Sequence, residues 1–298
     1  MSGSVPERNG GGTEAPGPRV PFRWMDTLWV QVTGTLCNIA CRHCFISCGP
    51  KATQIPMMSV NDVQRALDQG RDAGMRHVYF TGGEPFLHPD IRTLVERGLE
   101  VAALTVVTNG ILLDEGTVRW LAASFERSRN SLDVRVSLDG MTAAQNDPVR
   151  GRGTFEKIVA ALRRLGEAGL CPVVTVVEHE VGLEGADARA EFLDFVRGLG
   201  IRQARVKFLP LLRIGREERR THPYQARLAD EPLLPAVESS LLCASGRCVT
   251  AHGVYTCPIL VEDASARLGG SVAEAAKSIR LGWTACQSCV LDGLRCNT

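Results

Sequence analysis

The sequence has almost no net charge, no long apolar run and no secretion signal. Its 34 Lys and Arg residues nearly balance 33 Asp and Glu residues, which leaves a formal net charge of +1. Nucleic-acid-binding proteins usually carry a basic surface, so this balance argues against nucleic acid as a partner. No stretch approaches the roughly 20 apolar residues that cross a membrane, and the N-terminal segment lacks the apolar core of a signal peptide. We therefore expect a cytoplasmic protein with no membrane contact.

Cysteine, by contrast, is abundant, with 11 residues in a chain of 298. Cytosolic thiols are kept reduced, so a disulfide framework is not expected, and clustered cysteines in such a chain more often bind metal or take part in chemistry. Four of them lie within residues 37–48 and six within residues 243–296, with Cys171 alone between the groups. The two groups predict two metal sites.

Apolar periodicity predicts alternating strands and helices from residue 28 to residue 210. The predicted strands are 28–33, 77–81, 101–108, 132–138, 171–177 and 204–210, and the predicted helices are 59–75, 90–99, 113–127, 154–168 and 188–199. Alternating βα units imply a parallel sheet with helices outside it and an active site at the C-terminal strand ends. Six units are too few for a closed eight-stranded barrel, so the sequence predicts an α/β fold with a partial (β/α)6 barrel.

The composition along the chain predicts four segments. Residues 1–24, rich in Gly and Pro, form a flexible tail, residues 25–215 the barrel, and residues 216–235 a linker. Residues 236–298 carry too little apolar periodicity for a strong core of their own, and a unit of that size often needs a metal to hold it together. We therefore expect a small cysteine-rich, iron–sulfur domain at the C-terminal end.

The first cysteine group has the spacing CxxxCxxC at Cys37, Cys41 and Cys44, directly after the first predicted strand. Four cysteines usually hold a four-iron cluster, so three thiolates leave one iron without a protein ligand. A metal with an open position can bind a substrate directly, as in catalytic metal sites. A structural zinc site and buried free thiols are the alternatives. Cys48 could be a fourth ligand, although the Gly-Pro turn after it makes the loop hard to wrap.

This motif, in its place after the first strand of a βα barrel, resembles the signature of the radical S-adenosylmethionine (SAM) superfamily. Members usually carry an aromatic residue before the third cysteine, and His43 has that position here. Gly82, Gly83, Glu84 and Pro85 follow the second predicted strand and are similar to the family's GGEP motif, whose backbone and glutamate contact the SAM amino group. Glycines allow a close backbone approach and a carboxylate pairs with an ammonium. The resemblance covers roughly residues 26–215.

Three further positions resemble SAM-binding residues of that family. Asn109 and Ser137, at the ends of the third and fourth predicted strands, match residues that line the SAM ribose and carboxylate, and Arg150 matches an arginine near SAM. Ordinary strand-ending turns would also explain the motifs around Asn109 and Ser137.

The resemblance also implies the chemistry. A reduced [4Fe–4S] cluster gives one electron to SAM, which splits into methionine and a 5′-deoxyadenosyl radical that abstracts a substrate hydrogen. Cys37, Cys41 and Cys44 would then be the catalytic cluster ligands. A one-electron reductant such as flavodoxin or ferredoxin is expected as a partner.

The C-terminal cysteines resemble the auxiliary-cluster region called SPASM, or its shorter form, twitch. The full form holds two extra clusters, but here one spacing is a residue short and the sequence ends before the last cysteines of that form, so we expect one auxiliary [4Fe–4S] cluster. A zinc ribbon on the same thiols is the alternative. The resemblance to twitch assigns the ligands to Cys243, Cys257, Cys286 and Cys289, with Cys248 and Cys296 as alternates.

These features together predict a SAM-dependent oxidoreductase or maturase that oxidises or cross-links a small-molecule or peptide substrate with help from the auxiliary cluster. Only about 25 residues precede the first predicted strand, too few for a leader-binding winged helix. A small metabolite, or a peptide delivered by a separate leader-binding partner, is therefore favoured. The alternative from another class is a non-catalytic iron–sulfur redox carrier or scaffold. The GGEP motif argues against it, because a carrier needs no SAM pocket.

Overall fold

The structure, a computed structural model, describes residues 16–177, 185–220, 223–224 and 227–296. Its strands are β1 (Arg19–Val20), β2 (Thr27–Gln31), β3 (His77–Thr81), β4 (Ala103–Thr108), β5 (Leu132–Ser137), β6 (Val173–Val177), β7 (Arg205–Leu209), β8 (Gly246–Thr250), β9 (Gly253–Tyr255), β10 (Arg267–Gly269) and β11 (Ile279–Arg280). Its helices are α1 (Val60–Asp72), α2 (Ile91–Val101), α3 (Glu115–Arg127), α4 (Ala143–Arg150), α5 (Thr154–Glu167), α6 (Ala186–Gly198), α7 (Pro235–Ser240), α8 (Val272–Ala275) and α9 (Cys286–Val290).

Strands β2 to β7 run parallel and lie side by side in the order of the chain. They belong to a nine-stranded sheet whose order is β10-β9-β8-β2-β3-β4-β5-β6-β7, so within the described residues β7 and β10 are its open edges. The predicted α/β fold with a partial, open barrel is therefore confirmed. The predicted start of α1 agrees with the structure, because Ser59 and Asp62 form the predicted capping box.

Helix α4 is absent from the sequence-based prediction. It is short and polar and contains Pro148, which normally interrupts a helix. The side chain of Thr142 caps it by accepting the backbone N–H of Gln145. The helix matters for function because its last residue is Arg150.

The predicted flexible tail is attached at its C-terminal part. Arg19 and Val20 pair antiparallel with Arg280 and Ile279, and Val20 is fully buried. The flexible tail over residues 1–24 stays a prediction, and Arg19 and Val20 within it form this short strand. Sequence patterning missed this contact because a two-residue strand has no period.

The C-terminal segment continues the main sheet. Strand β8 pairs in parallel with β2, with Trp29 opposite Cys248, and forms an antiparallel hairpin with β9. Arg247 is fully buried, and its guanidinium donates to the backbone carbonyls of Cys243, Gly246, Ala275 and Lys277. A domain boundary at residue 236 stays a prediction. In the described part of the chain, no helix is long and apolar enough to cross a membrane.

Candidate functional site

The first three cysteines lie on the loop between β2 and α1, at the C-terminal edge of the parallel strands. The loop folds back on itself: the backbone N–H of Cys37 donates to the Gly49 carbonyl at 3.1 Å, and the N–H of Gly49 donates to the Thr35 carbonyl at 3.2 Å. Arg216, which follows β7, donates through its guanidinium to the carbonyls of Cys41 and Cys48. Arg216 was missed by the sequence analysis and binds the cysteine loop at two points, the carbonyls of Cys41 and Cys48.

The thiols of this loop face a cavity of about 220 Å³. Burial raises the pKa of Cys37 to about 12 and that of Cys41 to about 11. A hydrogen bond from the Cys48 thiol lowers the pKa of Cys44 to about 6, and the Cys48 N–H also donates to Cys44 Sγ at 3.3 Å. A bound cation stabilises thiolates in such a site, so the buried thiols suit metal ligation.

The spacing of the thiols distinguishes two kinds of metal site. Within the described ranges, no three His, Cys, Asp or Glu side chains lie close enough to share a single metal ion. Ligands of one zinc ion converge on one point, whereas the thiolates of an iron–sulfur cluster bind different irons and lie farther apart. A cluster, unlike one zinc ion, therefore does not require its thiol ligands to meet at one point.

Most of the residues predicted to bind SAM line the same cavity, whereas Glu84 and Pro85 are not part of its wall. Its wall includes the three motif cysteines together with Gly82, Gly83, His43, Asn109, Ser137 and Arg150.

The two glycines of the GGEP motif pack directly against the cysteine loop. Gly82 has a φ of +139°, and a Cβ atom there would lie 2.3 Å from Thr33 Oγ1. A Cβ atom on Gly83 would lie 2.0 Å from the carbonyl oxygen of Leu36. Side chains at either position would push the cysteine loop away, so this close approach requires glycine.

Glu84 is fully buried and has its own protein partners. Its Oε1 accepts from Thr108 Oγ1 at 2.7 Å and from the Phe86 N–H at 3.1 Å, and its Oε2 accepts from the Asn109 N–H at 2.8 Å. Burial raises its pKa to about 7. The carboxyl group thus joins the GGEP turn to the end of β4, and contact of Glu84 or Pro85 with SAM stays a prediction.

Asn109 also reaches the cysteine loop. Its Nδ2 donates to Asn38 Oδ1 at 2.7 Å and lies 3.7 Å from Cys37 Sγ, while its Oδ1 accepts from the Ile111 N–H at 3.0 Å. Hydrogen bonds to both its amide nitrogen and its amide oxygen therefore fix the orientation of the Asn109 side chain.

Asp139, which the sequence analysis did not assign to the site, is a fully buried carboxylate beside the cysteine loop. Its Oδ2 lies 2.5 Å from His43 Nε2 and 2.8 Å from Arg150 Nε, and its Oδ1 accepts from the Val177 N–H at 3.0 Å. Burial alone would raise the pKa of Asp139, but Arg150 and His43 hold it well below the usual range. Its position could have identified it from the sequence, because Asp139 lies two residues after Ser137, just beyond the C-terminal end of a parallel strand.

The C-terminal cysteines come together in the buried region behind the hairpin of β8 and β9. Burial raises the pKa of Cys289, and negative charge on Cys296, Cys257, Cys286 and Cys243 raises it further.

Two members of this group are the alternates to the four assigned ligands. Burial raises the pKa of Cys248, on β8, and negative charge on Cys257 and Cys296 raises it further. Cys296 also lines the cavity of the first cysteine motif. Through Cys296, the C-terminal group therefore reaches the cavity of the first cysteine motif.

Comparisons with known proteins give one consistent family. The family model described as the Radical SAM superfamily matches residues 32–196. The chain is 35% identical over 150 residues to mycofactocin maturase MftC of Mycobacterium ulcerans, covering 49% of this chain and 39% of that protein. It is 28% identical over 220 residues to GTP 3′,8-cyclase 1 of Mycobacterium tuberculosis, covering 67% of this chain and 56% of that protein. The matched part thus spans about two fifths of this mycofactocin maturase.

Solved structures share the fold. The structure of anSMEcpe with bound AdoMet superposes with a TM-score of 0.60 at 16% identity, covering 84% of this chain and 77% of that one. Streptococcus suis SuiB bound to S-adenosylmethionine gives a TM-score of 0.58 at 19% identity, covering 80% and 61%. At these identities the likeness concerns the fold alone.

Proposed function

The chain belongs to the radical SAM superfamily, and we propose that Cys37, Cys41 and Cys44 hold the [4Fe–4S] cluster at which it cleaves SAM. Family membership makes the chain an enzyme that uses such a cluster and SAM, and it argues against a non-catalytic carrier. The observation that carries the ligand assignment is the common cavity, which the three cysteines share with residues of the GGEP turn and of the next two strand ends.

The residues around the cavity would bind and orient the reactants. When bound, the cluster supplies one electron that splits SAM into methionine and a 5′-deoxyadenosyl radical, which abstracts a hydrogen atom from the substrate. Gly82 and Gly83 offer backbone atoms without side chains, and Asn109, Ser137 and Arg150 offer polar groups in the wall of the same cavity. Asp139 keeps the guanidinium of Arg150 in place.

We assign the C-terminal segment, residues 236–298, to a SPASM/twitch-type region with one auxiliary [4Fe–4S] cluster. The proposed ligands are Cys243, Cys257, Cys286 and Cys289, with Cys248 and Cys296 as alternates. Their burial and mutual electrostatic effects support a shared site. Because Cys296 lines the main cavity, a cluster there would lie near the substrate and could accept an electron from it.

The proposed substrate is a small molecule or a peptide that is oxidised or cross-linked, with flavodoxin or ferredoxin as the one-electron reductant in the cytoplasm. Similarity to the mycofactocin maturases favours a peptide maturase that works with a separate leader-binding partner. A short precursor-peptide gene beside this gene would support the peptide.

Anaerobic reconstitution tests the cluster assignment. The wild-type protein should bind about eight irons, as expected for two four-iron clusters, and release 5′-deoxyadenosine from SAM with dithionite. Replacing Cys37, Cys41 and Cys44 together by Ala should leave about four irons and abolish the release. The matched control is Cys171→Ala, a half-buried cysteine outside both groups, which should keep both values. A triple variant that still binds the full iron content would refute the assignment.

A further inference from the structure

The interior wall of the cavity contains polar groups that the proposed SAM chemistry does not use. Gln31 is fully buried at the end of β2, and neither its amide nitrogen nor its amide oxygen has a hydrogen-bond partner among the described residues. Trp29, two residues earlier and 6% exposed, has an indole N–H that is likewise unpartnered there. A buried polar group without a hydrogen-bond partner is unfavourable. Both side chains line the cavity, so a ligand in the cavity can supply the missing partners.

A buried arginine on β5 lines the same cavity. Arg135 is 5% exposed, its Nε donates to Thr175 Oγ1 at 2.8 Å, and its Nη1 donates to the Cys296 carbonyl at 3.3 Å. A guanidinium has five N–H donors, and these two acceptors are neutral. No carboxylate of the described residues pairs with it, in contrast to Arg150, which Asp139 neutralises. A buried cation without a counter-charge is unfavourable, so an anion in the cavity would relieve it.

The position of Arg135 separates it from the predicted SAM contacts. Side chains two residues apart on a strand point to the same face, so Arg135 faces the interior like Ser137 but lies about 7 Å farther from the C-terminal edge. Trp29 stacks on Tyr79 of the neighbouring strand, with ring centroids 4.3 Å apart. The interior below the SAM-binding layer therefore combines one uncompensated cation, polar N–H groups and a flat aromatic wall.

We propose that Arg135, Gln31 and Trp29 form a subsite for a carboxylate group of the substrate. The planar guanidinium matches a carboxylate in shape and charge, and the indole and amide N–H groups can donate to the remaining lone pairs. This proposal rests on the proposed function, because the carboxylate belongs to the substrate that reacts with the SAM-derived radical.

Binding of two matched probes tests the subsite in the reconstituted protein with saturating SAM under anaerobic conditions. Phenylacetate and phenylacetamide have nearly the same shape and differ in charge. Calorimetry should show that phenylacetate binds at least about tenfold more tightly, as expected for charge-assisted hydrogen bonds. Arg135→Met should abolish this preference and Arg135→Lys should keep part of it. Gln31→Glu should also abolish it, by repulsion. Arg202→Met, at an exposed position, is the control and should bind like the wild type.

Several results would overturn the subsite. Equal affinity of the two probes for the wild type would do so, as would a preference that survives Arg135→Met. A tenfold weaker binding of SAM to Arg135→Met would assign the guanidinium to the carboxylate of SAM itself. If Arg135→Met does not fold, Arg135→Lys and Gln31→Glu decide the matter. Release of 5′-deoxyadenosine is measured separately, so a protein that prefers the carboxylate but does not cleave SAM would refute the proposed function and leave the subsite intact.

Discussion

The Nε2 atom of His43 lies 2.5 Å from the Oδ2 atom of Asp139. This contact joins the cysteine loop, which follows β2, to the segment that follows β5. The same carboxylate oxygen lies 2.8 Å from Arg150 Nε, and Arg150 Nη1 lies 3.9 Å from Cys41 Sγ. Asp139 therefore positions two neighbouring residues, His43 and Arg150, beside the cysteine loop.

Replacing Asp139 by Asn should strongly destabilise the protein. The substitution removes the charge that compensates the buried Arg150, and breaking a buried ion pair in this way costs about 3–5 kcal/mol. Urea unfolding of the reconstituted protein measures the loss, and SAM affinity should fall with it. The control is Asp133→Asn, which breaks a half-exposed pair with Arg205 and should cost at most about 1 kcal/mol. Equal costs for the two variants would contradict the role given to Asp139.

Replacing Gly83 by Ala should displace the cysteine loop. The added Cβ would lie 2.0 Å from the Leu36 carbonyl oxygen and 2.8 Å from Cys37 Cβ, and such overpacking costs about 1–3 kcal/mol. We expect a lower iron content, measured after reconstitution. Gly116→Ala is the control, because its Cβ would make only an ordinary contact, at 3.6 Å from Asp114 Oδ1. A full iron content in the Gly83 variant would show that the loop tolerates the shift.

Glu84 should make the protein less stable as the pH rises from 4.5 to about 7. Burial raises the pKa of its carboxyl group from 4.5 to about 7. Below pH 4.5 the group is protonated in both states, and in the interval only the unfolded chain releases the proton. This release favours unfolding by about 3 kcal/mol across the interval.

The Glu84→Gln variant isolates this contribution. Gln has nearly the same shape and does not titrate. The unfolding free energy of the variant should therefore fall less than that of the wild type between pH 4.5 and about 7. Denaturant unfolding of both proteins at several pH values provides the comparison. Parallel pH profiles would show that the folded-state pKa of Glu84 is ordinary.

Cys289 and Cys248 should differ in their effect on the auxiliary cluster. Cys289 is one of the four assigned ligands, and negative charge on four other cysteines of the C-terminal group raises its pKa, whereas Cys248 lies on β8 and is an alternate. Cys289→Ala should lower the iron content from about eight to about four per chain. Cys248→Ala should leave it unchanged. Loss of about four irons in the Cys248 variant would instead make that residue a ligand.

The sequence by itself determined the architecture of the barrel and the place of the cysteine motif. Strand and helix periods, caps and short motifs are local properties, so the six βα units and the CxxxCxxC spacing could be read from neighbouring residues. The same local logic placed the GGEP turn after the second strand of the barrel. Local patterns did not predict α4, because this helix contains Pro148, a residue that normally interrupts helices, although Thr142 caps its start.

Only the tertiary structure decided which distant residues meet. Asp139 contacts His43 across 96 positions of the chain, and Arg216 holds the Cys41 carbonyl across 175. Strand β8 joins β2, and Cys296 of the C-terminal group lines the cavity of the first cysteine motif. Such contacts depend on strand order and register, which arise when the chain packs and not from the pattern of any single segment. The buried Arg135, Gln31 and Trp29 likewise became a candidate subsite only when their strands curved around a common interior.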